Sequence, residues 1–367
     1  MQIFLDNIVF SIQQTGGVSV YWYELLTGMC HSGLSIKFLN ARPASGNILE
    51  QKINYNPQHC IRESWIPDKY LRYLPMRYTL PRAAVFHGGY LRVSPQKDIL
   101  NIMTVHDFAH ERKLATRFPR GLANTYQKAY GIRRADGIIC ISDNTRKELL
   151  HFYPAIDPAK IKVIHHGIAR DFYPLQYQQP VSCSLDMNLQ EKFILYVGAR
   201  SHYKNFSLAV ETMALLPPEY RLVVVGGECW SSKELLVLAQ TIPGRYRIFP
   251  TVSQADLNIL YNHAFCLLYP SAYEGFGFPP GEAMKAGCPV VTTNLTSIPE
   301  VVGDAGLMTA AIAPQLFAEK ICSLENTVYR AQQVARGLAQ VQQFTWEKSV
   351  QETISFYKDC WNYKFSR

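Results

Sequence analysis

"FILYVGARSHYKNFSLAVETMALLPPEYRLVVVGG", residues 193–227, decides the fold. It opens on a short β-branched and aromatic run, FILYVG, and passes through a loop carrying Arg200 and Lys204. A helical pattern follows, and the stretch closes on a second apolar run, RLVVVGG. Two strands joined through a helix pair in parallel, because a tight turn can join only antiparallel neighbours. The alternation extends over the whole chain. IFLD, IKFLN, AAVFH, NIMTVHD, GIICIS and KVIHHG read as six strands before residue 170. FILYVG, RLVVVGG, YRIFP, AFCLLYP, PVVTT and GLMTA read as six more. Helical segments lie between them, among them VSVYWYELLTGMCHSG, LANTYQKAYGIRRAD and SQADLNILYNHA. Such alternation implies parallel sheets with helices on both faces. The polar stretch 173–190 separates the two sets and implies two doubly wound domains. The terminal segment WEKSVQETISFYKDCW has helical periodicity and no strand after it, so it is expected to pack back on the first domain.

The 367 residues suit two domains, and about half of them are apolar, enough for two cores. No apolar run is long enough to span a membrane. The start, MQIFLDNIVFSIQQ, lacks a basic leader and carries Asp6 inside its apolar run, so it reads as a first strand. The nine cysteines are scattered without a CxxC pair, which argues against zinc and disulfide frameworks and for a reducing cytoplasm. The formal charge is +8. Part of the excess lies in residues 62–82, where Arg62, Lys69, Arg72, Arg77 and Arg82 alternate with Trp65, Tyr70, Tyr73 and Tyr78. Cations attract anionic head groups and Trp and Tyr favour the membrane–water boundary, so this segment is a candidate surface for membrane or acceptor. A solvated loop over buried aromatics gives the same pattern. No recognition-helix or RNP-like motif accompanies the charge, so no nucleic-acid partner is expected.

In open α/β sheets ligands bind beyond the carboxyl ends of the strands, and the notable residues fall there. Gly16 and Gly17 follow the first strand and open a helix, which suits an anion held on helix N–H groups and equally a plain tight turn. His106 and Asp107 end an apolar strand. Arg200 and Lys204 precede a helix, where a fork and a point charge would suit a diphosphate. The stretch SAYEGFGFPPGEAMKAG, residues 271–287, places Glu274, three glycines and two prolines ahead of a helix opening near Pro279–Pro280. Glu282 then falls in the first turn, where a carboxylate favours the helix dipole or accepts from paired hydroxyls, as on a ribose. Glu274 and the N–H groups of Gly275, Phe276, Gly277 and Phe278 could hold a sugar. Ser297 and Glu300 match a capping box at a helix start.

These residues resemble the retaining nucleotide-sugar glycosyltransferases of family four, in particular bacterial O-antigen and capsule mannosyltransferases. The likeness is strongest from Tyr196 to Thr309, where YPSAYEGFGFPPGEAMKAGCPVVTTNLTSIPEVVGDAGLM follows the family signature and Glu274 and Glu282 meet its E-x7-E spacing. GGVSVYW, VHDF, CISDNTRKEL and VIHHGI resemble its N-terminal landmarks, and His166-Gly167 stands where the family often has Asn-Gly. The resemblance implies the α/β GT-B architecture, two Rossmann-like doubly wound domains facing each other across a cleft. It implies an acceptor-binding domain over residues 1–172, joined by helix 346–367, and a donor-binding domain over residues 173–345. It implies that Arg200 and Lys204 bind the donor diphosphate, Glu282 the ribose, and Glu274 with Gly275–Phe278 the sugar. Thr251 and Val252 would contact the base, His106 would lie near the anomeric carbon, and Gly16 and Gly17 would border the diphosphate. The implied reaction moves a hexose with retention and without a bound metal or other cofactor, in keeping with the lack of a DxD triplet. GDP-mannose is the favoured donor, ahead of UDP-hexoses and dTDP-rhamnose. The implied partner is a glycan or lipid-linked acceptor in bacterial surface polysaccharide synthesis, at the inner face of the membrane. The oligomeric state stays open. A GT-B sugar-nucleotide epimerase, a phosphorylase and a non-catalytic sugar-nucleotide sensor are the alternatives; a nicotinamide dehydrogenase is disfavoured by the missing GxGxxG.

Overall fold

The computed structural model describes residues 1–12, 16–41, 46–115, 120–176, 185–200, 202–227 and 229–366. Residues 177–184 of the polar stretch, Gln14 and Thr15 ahead of the first glycine pair, and Ser201 between the two cations lie outside the described residues. The chain forms two compact units, residues 1–167 with 344–367, and residues 168–343.

The first unit is built on seven parallel strands: β1 (Gln2–Asp6), β2 (Ser35–Leu39), β3 (Cys60–Ile61), β4 (Ala84–Gly88), β5 (Ile99–Val105), β6 (Gly137–Cys140) and β7 (Ile161–Val163). Their order in the sheet is β3-β2-β1-β4-β5-β6-β7. The second unit has six: β8 (Phe193–Val197), β9 (Arg221–Val225), β10 (Tyr246–Phe249), β11 (Cys266–Tyr269), β12 (Val290–Thr293) and β13 (Gly306–Thr309). Their order is β10-β9-β8-β11-β12-β13. Both sheets therefore run outward from the first strand in one direction and then in the other, the doubly wound arrangement. Helices cover both faces, so the central strands are apolar along their whole length; every residue of β5, β8 and β11 is buried. The twelve strands expected from the sequence are all present. The thirteenth, β3, is two residues long and pairs with Phe38 and Leu39.

The direction of winding changes between β1 and β4 in the first unit and between β8 and β11 in the second. At these points the loops part and leave room at the carboxyl edge. In the first unit this edge holds a buried ion cluster. Arg92 donates from Nη1 to Asp6 Oδ2 at 2.7 Å and from Nη2 to Glu63 Oε1 at 2.7 Å, with all three side chains shut off from solvent. Its Nε donates to the Leu74 carbonyl at 2.9 Å, and Asn40 Nδ2 donates to Asp6 Oδ1 at 2.9 Å and Glu63 Oε2 at 3.1 Å. The cluster fastens the segment around Glu63 to the end of β1. Gly89 sits beside it, where a Cβ would come within 2.1 Å of the Asp6 carbonyl.

The Trp346–Phe365 helix packs on the first unit. Val350 lies where a Cβ on Gly28 would meet it at 2.6 Å, and Tyr357 OH lies 2.5 Å from His87 Nδ1. Lys364 Nζ donates to the Ile99 carbonyl at 2.8 Å and to Asp136 at 2.7 Å.

Candidate active site

The loops after β8 and β11 flank the winding change of the second sheet and are tied to one another. Asn205 adopts left-handed backbone, φ 52°, and its Nδ2 donates to the Pro270 carbonyl at 2.9 Å. Ala272 N donates to the Tyr203 carbonyl at 2.8 Å. This brings Lys204 onto Glu274. Lys204 Nζ donates to Glu274 Oε1 at 2.5 Å and to the Tyr269 hydroxyl at 3.1 Å, and that hydroxyl donates to the same Oε1 at 2.5 Å. The two side chains keep 15% and 11% of their surface exposed, so the pair is sheltered enough for strong attraction yet open to a ligand. An incoming anion would compete with Glu274 for the ammonium.

Arg200 leaves the same loop and turns to the end of β9. Its side chain is 3% exposed. Nε donates to Glu234 Oε1 at 2.9 Å, Nη1 donates to the Gly226 carbonyl at 3.1 Å, and the guanidinium lies 3.8 Å from the centre of the Trp230 ring. Burial works against ionisation of Glu234, but bonds from Ser231 and Arg200 outweigh it and hold its carboxyl below the usual range. Gly227 makes room for this guanidinium. Its φ is +89°, and a Cβ there would stand 2.4 Å from Arg200 Nη1.

The Phe278–Lys285 helix starts at Gly277, whose φ of 101° turns the loop into it, and takes both prolines in its first turn. The helix thus begins earlier than expected, and Glu282 is its fifth residue, beyond the first turn. Glu282 therefore lies outside the turn where the helix dipole would favour a carboxylate. Instead, neighbouring atoms enclose its carboxyl although part of the side chain meets solvent. Burial raises it to about 7, against the lowering effect of the Tyr261 hydroxyl that donates to Oε2 at 3.1 Å. Ser297 also differs from expectation. A helix does follow it, but the capping box is not formed. Ser297 lies in helical backbone, φ −84° and ψ −8°, not in the extended form that aims a capping hydroxyl at N3. Its Oγ lies 3.0 Å from the carbonyls of both Glu274 and Phe276 and holds the glycine loop. Thr296 Oγ1 accepts from Glu274 N at 3.0 Å. Ser297→Ala is expected to cost about 1 kcal/mol and to lower the melting midpoint by roughly 2–4 °C. A melting curve superimposable on the parent would show that the hydroxyl does not hold the loop.

Gly275, Phe276 and Gly277 therefore lie in one loop with Glu274, Phe278 opens the helix that follows, and Arg200 and Lys204 are on the loop beside it. Thr251 is exposed and Val252 half-buried, both in the loop after β10. Tyr269, Trp230, Glu234 and Tyr261 were not singled out in the sequence. Tyr269 could have been, since it ends β11 at the carboxyl edge.

In the first unit Gly16 caps the Gly17–Cys30 helix, and Gly17 is its first residue. His106 follows β5 and is packed edge-on against Tyr21, ring centres 5.2 Å apart, and near His166 at 5.7 Å. Burial lowers its imidazole to about 4, with the Asp107 charge opposing, so it is neutral at physiological pH. His166 is buried beside Tyr21 and Trp346, ring centres 4.8 and 5.6 Å away. Arg62, Lys69 and Arg77 are exposed, and Trp65 is 86% exposed. Arg72 is half-buried and stacks on Tyr73.

Two sequence families match the chain: Glycosyltransferase Family 4 over residues 15–172 and Glycosyl transferases group 1 over residues 183–336. O-antigen chain mannosyltransferase B of Escherichia coli is 36% identical over 234 residues, covering 60% of this chain and 60% of that protein. The chain thus spans about three fifths of the length of the curated relative. Among solved structures, sucrose-phosphate synthase of Thermosynechococcus elongatus superposes with a TM-score of 0.75 at 20% identity, covering 98% of this chain and 99% of the other. Anabaena Alr3699/HepE, solved with UDP and glucose, gives 0.71 at 16% identity, covering 98% and 99%.

Proposed function

Because the chain belongs to the family-four-like glycosyltransferases of the GT-B fold, we propose that it transfers a hexose from a nucleotide sugar to a glycan. The observation that carries this reading is the Lys204–Glu274–Tyr269 cluster, with Arg200 on the same loop, at the winding change of the second sheet. The hexose is mannose from GDP-mannose and the acceptor a growing bacterial surface polysaccharide, a reading supported by the mannosyltransferase relative. Lys204 and Arg200 bind the diphosphate. As the glycosidic bond breaks, negative charge grows on that group, so cations fixed beforehand favour the transition state over the ground state. Glu274 and the Gly275–Phe278 backbone hold the sugar, Glu282 clasps the ribose, and Thr251 and Val252 face the base. On the first unit, neutral His106 and the Gly16–Gly17 turn are assigned to the transfer step. Transfer proceeds with retention by front-face attack, without a metal. The test is release of GDP from GDP-mannose on adding an α-mannoside acceptor, with UDP-glucose and dTDP-rhamnose alongside. Release from none of them would end the transfer reading; conversion of the sugar without acceptor would favour an epimerase.

Ribose binding needs the ionised Glu282 as a double acceptor, so donor affinity depends on pH. Affinity for GDP is expected to be full above pH 8 and to fall as pH drops through about 7, towards tenfold per unit below it. In the unliganded domain the sign is opposite. A carboxyl raised from 4.5 favours the fold while protonated, and that contribution is lost as pH rises through about 7. Calorimetric titration of GDP at pH 6 and pH 8 checks this. Glu282→Gln should bind weakly at both, and a pH dependence surviving in that variant would assign it elsewhere.

The first unit carries the acceptor and docks on anionic membrane through residues 62–82. Exposed Trp65, Tyr70 and four outward cations support this. Replacing Arg62, Lys69, Arg77 and Arg82 by Gln is expected to reduce binding to anionic vesicles at least tenfold, since each such charge contributes about 1 kcal/mol. Equal flotation of parent and variant would remove this surface from the proposal.

A further inference from the structure

One helix of the first unit carries unused hydrogen-bonding capacity. The Arg120–Arg134 helix turns Ala123, Tyr126, Gln127 and Tyr130, one stripe at helical spacing, onto a cavity of about 350 Å³. Tyr73, Leu91 and Val93 close its other side. Three tyrosine rings therefore wall one small space. Tyr126 lines this space and is 75% exposed. Gln127 is only 6% exposed, and its Oε1 has no hydrogen-bond partner among the described residues, although its Nε2 donates to the Arg72 carbonyl. Asn124 on the helix and Glu111 on the turn before it repeat the deficit. Asn124, 7% exposed, leaves Oδ1 unpartnered, and Glu111 leaves Oε1 unpartnered while Oε2 accepts from Lys128 Nζ at 2.9 Å. Lys128 Nζ also donates to the Asp107 carbonyl at 2.8 Å, so this polar wall continues directly to the residue after His106.

Buried acceptors without donors cost free energy, so each calls for a donor from water, an ion or a ligand. Gln127, Asn124 and Glu111 each leave an acceptor, and Arg72 Nε beside them leaves a donor, so the missing partner both donates and accepts. Hydroxyl groups do both without charge. The tyrosine faces fit the C–H faces of a pyranose ring, and the cavity falls within the size range of small-molecule sites.

We infer that this cavity is a subsite for a sugar unit of the acceptor glycan, with Gln127 binding a ring hydroxyl and Tyr73, Tyr126 and Tyr130 stacking on the ring. The inference rests on the transfer reading above and adds to it where the acceptor chain lies, from His106 along the helix 120–134. Asn124 and Glu111 hold the hydroxyls of the unit nearer His106.

The test uses α-mannotriose as probe and the full chain. NMR titration should show the trisaccharide bound by the parent protein, at least tenfold more weakly by Gln127→Leu and by Tyr126→Ala, and undiminished by Val328→Ala on the second unit. Tyr126 and Val328 are both largely exposed, so neither substitution threatens the fold. Release of GDP from GDP-mannose without acceptor, measured in parallel, should stay within twofold in all three variants, while the acceptor KM rises with little change in kcat. Failure of the parent to bind, unaltered binding in both cavity variants, or binding of alkyl glycosides that tracks chain length and not the sugar would each overturn the subsite. GDP release alongside such a failure leaves the transfer reading standing; trisaccharide binding without any nucleotide-sugar turnover overturns the transfer reading and keeps the subsite.

Discussion

Lys204→Ala is expected to cut turnover of the nucleotide sugar at least a hundredfold while the protein stays folded. A preorganised contact to charge developing in a transition state is commonly worth about 3 kcal/mol of barrier. Lys204 meets the condition of preorganisation. Its loop is pinned through Asn205 to Pro270, and its ammonium is already held between Glu274 and Tyr269. The diphosphate would take the ammonium from Glu274, leaving that carboxylate free to accept from the sugar hydroxyls, so one event would arm both residues. Lys204→Arg should recover little, because a planar fork does not replace a point charge on these two partners. The measurement is steady-state GDP release, with a melting curve for each variant. Turnover within fivefold of the parent, in a folded variant, would remove Lys204 from the chemistry.

Arg92→Met is expected to destabilise the first unit by about 3–5 kcal/mol, because it leaves Asp6 and Glu63 buried with their counter-charge gone. For a domain of 150–250 residues this lowers the melting midpoint by roughly 10 °C. The loss depends on pH in a defined direction. Burial already raises the Asp6 carboxyl above its ordinary value, with Arg92 opposing that rise. Without Arg92 it rises further. A carboxyl raised in the folded state stabilises the fold only while protonated, and the penalty appears as pH climbs through the folded value. The gap between parent and variant should therefore be smaller at pH 5 than at pH 8. Melting curves at both values check this. Equal gaps would refute the charge argument, and no gap at all would refute the role of the cluster.

Much of the fold was legible because buried parallel strands are written as short runs of apolar, β-branched residues. FILYV and RLVVV cannot be mistaken for solvent-facing alternation. β3 escaped because two residues, Cys60 and Ile61, make no run; their pairing is decided by Phe38 and Leu39 across the sheet edge. The loops of the candidate site were legible because this architecture brings ligands to the ends of strands. The partners were not. Nothing in the spacing says that Arg200 folds back onto Glu234 and Trp230, or that Tyr269 bridges Lys204 and Glu274. These are choices of side-chain direction made in three dimensions. Ser297 shows the converse. Its sequence context, Ser-x-x-Glu, fits a helix cap, but its backbone is already helical, and its hydroxyl finds the carbonyls of another loop. Glu282 moved for a similar reason: the left-handed Gly277 starts the helix earlier than the prolines suggested.

The order in which the ribosome delivers this chain conflicts with the order in which its parts can be finished. Residues 168–343 form an uninterrupted stretch and hold everything their own sheet requires. The earlier-made unit lacks the helix carrying Val350 and Tyr357 until residues 344–367 have been translated. The unit synthesised first therefore cannot complete its packing until the helix that follows the second unit has been made.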